Sequence, residues 1–129
     1  MEKENGNFEV KWFDKKASRL PQAFWVKFTG LDENWQMEKM GQWIKPENVL
    51  GNPYLSAVGK YVKNKDVMIE TLDAPLVAPF GMQILKKYSI PDKQNLLFNL
   101  YNNVWNTNFP MWYSDDAKFR FKILKHETI

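Results

Sequence analysis

The sequence predicts an all-β fold, an antiparallel β-sandwich. Three observations lead there. Apolar residues recur with a period of two far more often than 3.6, the apolar runs are short and bounded by Gly, Pro, Asn and Asp, and no long amphipathic helical stretch occurs.

The elements follow in chain order. Phe8, Val10 and Trp12 alternate with Glu9 and Lys11, so residues 7–13 read as a half-buried strand. Phe24, Val26 and Phe28 alternate with Trp25 and Lys27 over residues 23–29, and Gly30-Leu31-Asp32 closes that strand with a turn. Trp35, Met37 and Lys39 alternate with Gln36, Glu38 and Met40 as a third strand. Residues 41–66 carry Gly41, Pro46, Gly51, Asn52, Pro53, Gly59 and Asn64, and read as one long irregular excursion with a helical turn near Pro46 to Val49. Asn64-Lys65-Asp66 turns into a strand over residues 67–72, and Asp73-Ala74-Pro75 breaks it. Residues 76–78 form a short strand, for which Pro79 and Gly81 suggest an edge position. Residues 96–101 are nearly continuously apolar, the mark of a strand buried on both faces. Finally Phe119, Phe121 and Ile123 alternate with Lys118, Arg120 and Lys122, a strand with one buried face near the outside of a sheet. The 129 residues suit one domain, with residues 1–6 and 125–129 as flexible tails.

Composition excludes several function classes. The chain has no cysteine, which removes disulfides, thiolate zinc sites and cysteine nucleophiles. Its one histidine, His126, lies near the C-terminus, a poor place to build a metal site or a Ser-His triad. The net charge is +3, with lysines in short groups (Lys15-Lys16, Lys63 and Lys65, Lys86-Lys87) that read as solvated edges and loops rather than a nucleic-acid arm. No Gly-rich phosphate loop occurs among the six scattered glycines. The polar N-terminus lacks a signal-peptide apolar region, and no run approaches a membrane span, so a cytoplasmic location without nucleic-acid or membrane partners is expected. No cofactor and no metal are expected.

The carboxylate pairs Asp32-Glu33 and Asp115-Asp116 are sequence neighbours, and neighbours on a strand point to opposite faces. They read as turn and cap residues. Asp73, at a strand end, either accepts local backbone N–H groups or faces a cleft, where Asp115 could complete a two-carboxylate hydrolytic couple.

The densest chemical signal spans residues 99–113, where Asn99, Asn102, Asn103, Asn106 and Asn108 are interleaved with Tyr101, Trp105, Phe109, Trp112 and Tyr113. An amide offers a donor and an acceptor on one flat group, and aromatic faces offer rigid apolar platforms, a pairing suited to polyhydroxylated ligands. The same amides equally suit turns, bulges and left-handed backbone.

This segment also carries a family resemblance. Phe98-Asn99-Leu100-Tyr101-Asn102-Asn103-Val104-Trp105-Asn106-Thr107-Asn108-Phe109 resembles a C-terminal signature of α-mannosidase-like proteins of glycoside hydrolase family 38. Arg19-Leu20-Pro21-Gln22-Ala23-Phe24-Trp25-Val26-Lys27-Phe28 and Leu72-Asp73-Ala74-Pro75-Leu76-Val77 are similar to upstream segments, best in a branch of that family built on a domain of unknown function. The resemblance implies a C-terminal β-sandwich that supports a catalytic domain and lends loops to its substrate cleft. The family's aspartate nucleophile and zinc belong to its N-terminal region, and nothing here matches them. On this reading the chain is a noncatalytic accessory domain, with Asp73, Asn102, Asn103, Trp105, Asn106, Asn108 and Trp112 as carbohydrate-contacting candidates. Its expected partners are a carbohydrate, a catalytic glycoside hydrolase subunit or a second copy of itself. The alternative is a structural or protein-interaction β-module with no ligand.

Overall fold

The structure is a computed structural model, which describes residues 5–29, 32–45, 57–78, 95–103 and 113–125. Among these residues there is no helix, and ten strands form two antiparallel sheets. They are β1 (Asn5–Lys15), β2 (Ala23–Phe28), β3 (Gln36–Lys39), β4 (Gln42–Ile44), β5 (Ala57–Val58), β6 (Tyr61–Lys63), β7 (Val67–Thr71), β8 (Leu76–Ala78), β9 (Leu96–Asn102) and β10 (Asp115–Lys125). One sheet has six strands in the order β1-β10-β7-β6-β3-β4, and the other has four in the order β2-β9-β8-β5.

Strand alternation builds the core between the sheets. Met37, Val62, Val67, Ile69 and Phe121 from the larger sheet meet Val26, Val77, Leu96 and Phe98 from the smaller one in a single buried cluster. Aromatic rings cross the gap: Phe98 lies 5.2 Å from Phe121 and Phe28 lies 5.7 Å from Phe121, centroid to centroid. Here the period-two pattern does what it must in a sandwich, sending alternate residues inward. Strand β9 is the exception expected from its continuous apolar run: Leu96, Leu97, Phe98 and Asn99 are all buried, so this part of the strand is covered on both faces.

Turn chemistry explains two special backbone positions. Met40 (φ 52°) and Gly41 (φ 82°) form the two-residue loop of the β3–β4 hairpin, closed by the Lys39–Gln42 pair. Positive φ at both loop residues is the type I′ arrangement, whose twist matches that of the flanking strands. Glycine adopts it freely, whereas methionine adopts it at a cost. Asp14 (φ 50°) lies in the bulge of β1 between Trp12 and Lys15, where the register against β10 shifts. Its N–H is satisfied by Asp116 Oδ1 at 2.6 Å.

Several expectations need correction. Strand β8 is not an edge, because the two-residue β5 pairs outside it (Ala57 with Val77, Val58 with Leu76). Such a short strand carries no periodic signal of its own. For the same reason the stretch 41–66, expected to be irregular, holds β4, β5 and β6. The helical turn expected near Pro46 lies outside the described residues. Asn5, Gly6 and Lys125, assigned to tails, are ladder-paired with Leu124, Ile123 and Val67 respectively. Trp35 precedes the third strand instead of opening it and is buried at 3% exposure.

Candidate functional site

The amide-rich segment begins where β9 leaves the smaller sheet. A bulge opposes Phe24-Trp25 of β2 to Tyr101 and Asn99 of β9, with Leu100 as the extra residue. Around the bulge Asn99, Tyr101 and Asn102 form a local network. Asn99 donates from Nδ2 to the Tyr101 carbonyl at 3.3 Å and, longer, to the Phe24 carbonyl at 3.5 Å. Asn102 donates to Asn99 Oδ1 at 2.9 Å.

Asn103, 5% exposed, is a latch. Its Oδ1 accepts the Gln22 N–H at 2.6 Å, and its Nδ2 donates to the carbonyls of Ser18 (3.0 Å) and Leu20 (2.8 Å). Its own N–H donates to the Gln22 carbonyl at 3.1 Å. An asparagine amide has one acceptor face and one two-proton donor, and here both are committed to backbone. The side chain ties the 18–22 connection between β1 and β2 to the end of β9. Trp105, Asn106, Asn108 and Trp112 lie outside the described residues, so the structure brings together Asn102 and Asn103 only.

Aromatic and cationic groups surround the same end. Phe24 lies 5.2 Å from Trp12 and 5.6 Å from Tyr101, and Tyr101 lies 6.0 Å from Tyr113. The Lys15 ammonium sits over the Tyr101 ring at 4.5 Å and donates to the Tyr113 carbonyl at 2.9 Å. Phe24 and Tyr113 remain exposed. Trp12 Nε1, Gln22 Oε1 and Tyr101 OH are buried there and have no hydrogen-bond partner among the described residues.

Asp73 lies elsewhere, on the outer side of the larger sheet. Its carboxylate takes the Arg120 guanidinium in a two-point clasp (Nε at 2.8 Å, Nη2 at 2.9 Å) and also accepts the Arg120 N–H at 2.9 Å. The guanidinium hydrogen bonds hold the Asp73 carboxyl below the ordinary carboxylate range. Asp115 stands five residues back along β10 from Arg120, about 16 Å at strand rise. That exceeds the roughly 5–9.5 Å that a glycosidase carboxyl couple needs. Its Oδ1 caps the Asp116 N–H at 2.7 Å. Asp32 likewise caps Asn34, through N–H and Nδ2 both at 3.0 Å, and these bonds lower its carboxyl pKa. Among the described residues no group of three or more His, Asp or Glu side chains is placed to hold a metal ion. No helix among them is long and apolar enough to cross a membrane.

Sequence reasoning missed two further latches. Asn64, 6% exposed, accepts the N–H groups of Asp66 and Val67 (both 2.9 Å) and donates to the Asp32 carbonyl at 2.9 Å. Thr71 Oγ1 accepts from Ala74 N at 3.1 Å and donates to the Ala74 carbonyl at 2.8 Å. The available signal was Asn64 at the head of Asn64-Lys65-Asp66, an Asx-turn position that also supplies a free donor for a distant loop. Among the described residues the buried polar ones are Asn64, Thr71, Asn99 and Asn103, and each has its side chain spent within the fold.

Comparison of the chain with protein-family models, with curated proteins and with solved structures finds no match.

Proposed function

We propose that this chain is a noncatalytic β-sandwich module that acts through its surfaces. The observation that supports this reading is the commitment of Asn103. The residue at the centre of the amide-rich segment spends every side-chain hydrogen-bonding group on the 18–22 backbone. Its chemistry is that of a fold latch, which holds two connections together so that the sheet faces can be presented rigidly. The two-carboxylate couple of Asp73 and Asp115 finds no support in their separation along β10.

One observation favours a second reading, the accessory domain of an α-mannosidase-like glycoside hydrolase. Phe24 and Tyr113 are exposed at the end of the sandwich where Asn102 lies, so a stacking surface and an amide share one end. That reading rests on the sequence motifs for its family, and on Asn102 with Trp105, Asn106, Asn108 and Trp112 for its contacts. NMR titration of the full chain with methyl α-mannoside and a mannobiose separates the two. The module reading expects no saturable shift in residues 99–113 at millimolar sugar. Saturable shifts confined to that segment would replace it with the accessory-domain reading.

A further inference from the structure

Among the described strands, the outer edge of β1 is the longest open one. Strand β1 runs eleven residues and, among the described residues, pairs on one side only, with β10. Such an edge offers a row of backbone donors and acceptors to another chain unless something blunts it. Lysine on an edge commonly does so. Here the blunting residue Lys11 has Glu9 two positions away on the same outward face, and the two are paired at 3.1 Å.

The charges around that pair are unbalanced in one place. Lys11 lies directly opposite Lys118 in the β1–β10 ladder, whereas Glu9 lies opposite Arg120. Like charges facing each other across a ladder destabilise it. Asp73 clasps the Arg120 guanidinium and Glu9 pairs with Lys11, so three cations share two carboxylates and one surplus positive charge is left at the Lys11–Lys118 pair.

We infer that β1 is a homodimerisation strand, pairing antiparallel with β1 of a second copy about a twofold axis at Val10. The strand is self-complementary about that point. Glu9 of each copy falls opposite Lys11 of the other, so each carboxylate, paired with Lys11 of its own chain, also faces the lysine of the second copy. On the opposite face, Phe8 falls across from Trp12. Phe8 is 40% exposed although it packs 6.1 Å from both Phe28 and Phe121. A partner's indole would cover its open side. The pairing runs over the regular stretch from Phe8 to Trp12 and stops at the bulge before Lys15, which turns the edge away. The contact is isologous, as twofold symmetry requires, and joins two six-stranded sheets into one. This inference deepens the module reading and rests on it, naming the partner as a second copy.

The addition of one short strand buries less than a standard interface of about 1,600 Å², so dissociation in the range of ~10 µM to ~1 mM is expected. Sedimentation equilibrium of the full chain over that range should show a monomer–dimer equilibrium. Lys11→Glu should weaken it at least about tenfold, because two attractive pairs become repulsive. Inside each copy the same substitution relieves the Lys11–Lys118 repulsion but loses the Glu9–Lys11 pair, two small and opposed effects, so the thermal midpoint should move little, which separates lost pairing from lost folding. Glu9→Lys should also be monomeric, and an equimolar mixture of the two variants should restore a one-to-one dimer. Should Glu9→Lys fail to fold, Glu9→Gln mixed with wild type serves as the intermediate case. A wild-type chain that stays monomeric through ~1 mM overturns the inference. So does a dimer that survives Lys11→Glu unchanged. Neither outcome touches the module reading, which the sugar titration tests separately.

Discussion

Replacing Asn103 with alanine should be among the costliest single polar-to-alanine changes in this chain. The substitution removes three side-chain hydrogen bonds, those with Gln22 N–H and with the Ser18 and Leu20 carbonyls. Each is worth about 0.5–1.5 kcal/mol net, and a buried partner left unpaired costs more. Leu20 is 73% exposed, so water recovers part of the loss at its carbonyl. A destabilisation of about 2–3 kcal/mol results, against a total of roughly 5–15 kcal/mol for a domain of this size. In a thermal melt this is a fall of roughly 6–15 °C. Asn103→Asp sharpens the reasoning. It keeps the shape and the acceptor for Gln22 N–H, but it sets carboxylate oxygen against two carbonyls that need donors. Burial and that repulsion should raise the new carboxyl's pKa, so the variant should regain stability as pH falls and protonation restores a donor. Urea unfolding followed by the fluorescence of the six tryptophans measures both variants. A loss under about 0.5 kcal/mol for Asn103→Ala, or Asn103→Asp equal to wild type at neutral pH, would refute the latch.

Three further outcomes follow from the fold. Met40→Asn should stabilise the chain by about 0.5–1 kcal/mol in a urea titration, because a fully exposed methionine at φ 52° gives way to a residue that tolerates the type I′ turn. Gly59→Ala should cost about 1–3 kcal/mol by the same measurement. An added Cβ would lie 3.3 Å from Val77 Cγ1, on a fully buried and χ1-stiff side chain, with Met37 Cε at 3.8 Å behind it. The Asp73–Arg120 clasp makes stability pH-dependent. The Asp73 carboxyl is held low by the Arg120 hydrogen bonds, so its contribution is present above the ordinary carboxylate pKa and is lost as pH falls through the lowered value. Asp73→Asn should therefore flatten the acid limb of a melting-temperature profile, and an unchanged limb would contradict the assignment.

Periodicity made the long strands legible because all of them but β9 have one buried face. β1, β2, β7 and β10 alternate inward and outward side chains, and β9 announces burial on both faces by losing that alternation. The short strands were illegible for the converse reason. β5 has two residues, too few for any period, and its pairing is decided by β8 beside it. Pro79 and Gly81 suggested an edge for β8 because local chemistry cannot report a neighbour from residues 57–58. The same limit governs the site. Composition showed that residues 99–103 were rich in amides but not whose donors and acceptors they would meet. That depended on the 18–22 connection, 83 residues away from Asn103 in its bond to the Leu20 carbonyl. Asn64 escaped notice because its turn role was visible locally, whereas its bond to the Asp32 carbonyl joins a segment 32 residues distant.

The most direct measurement of the central claim is hydrogen exchange at the Asn103 side-chain amide, read by NMR. Both Nδ2 protons face backbone carbonyls in the latch, at 3.0 and 2.8 Å. They should exchange far more slowly than a free amide, and their protection should track the stability of β9 as urea is added. Exchange at the free-amide rate would mean that the side chain is open to solvent and to ligands. It would remove the observation on which the module reading stands.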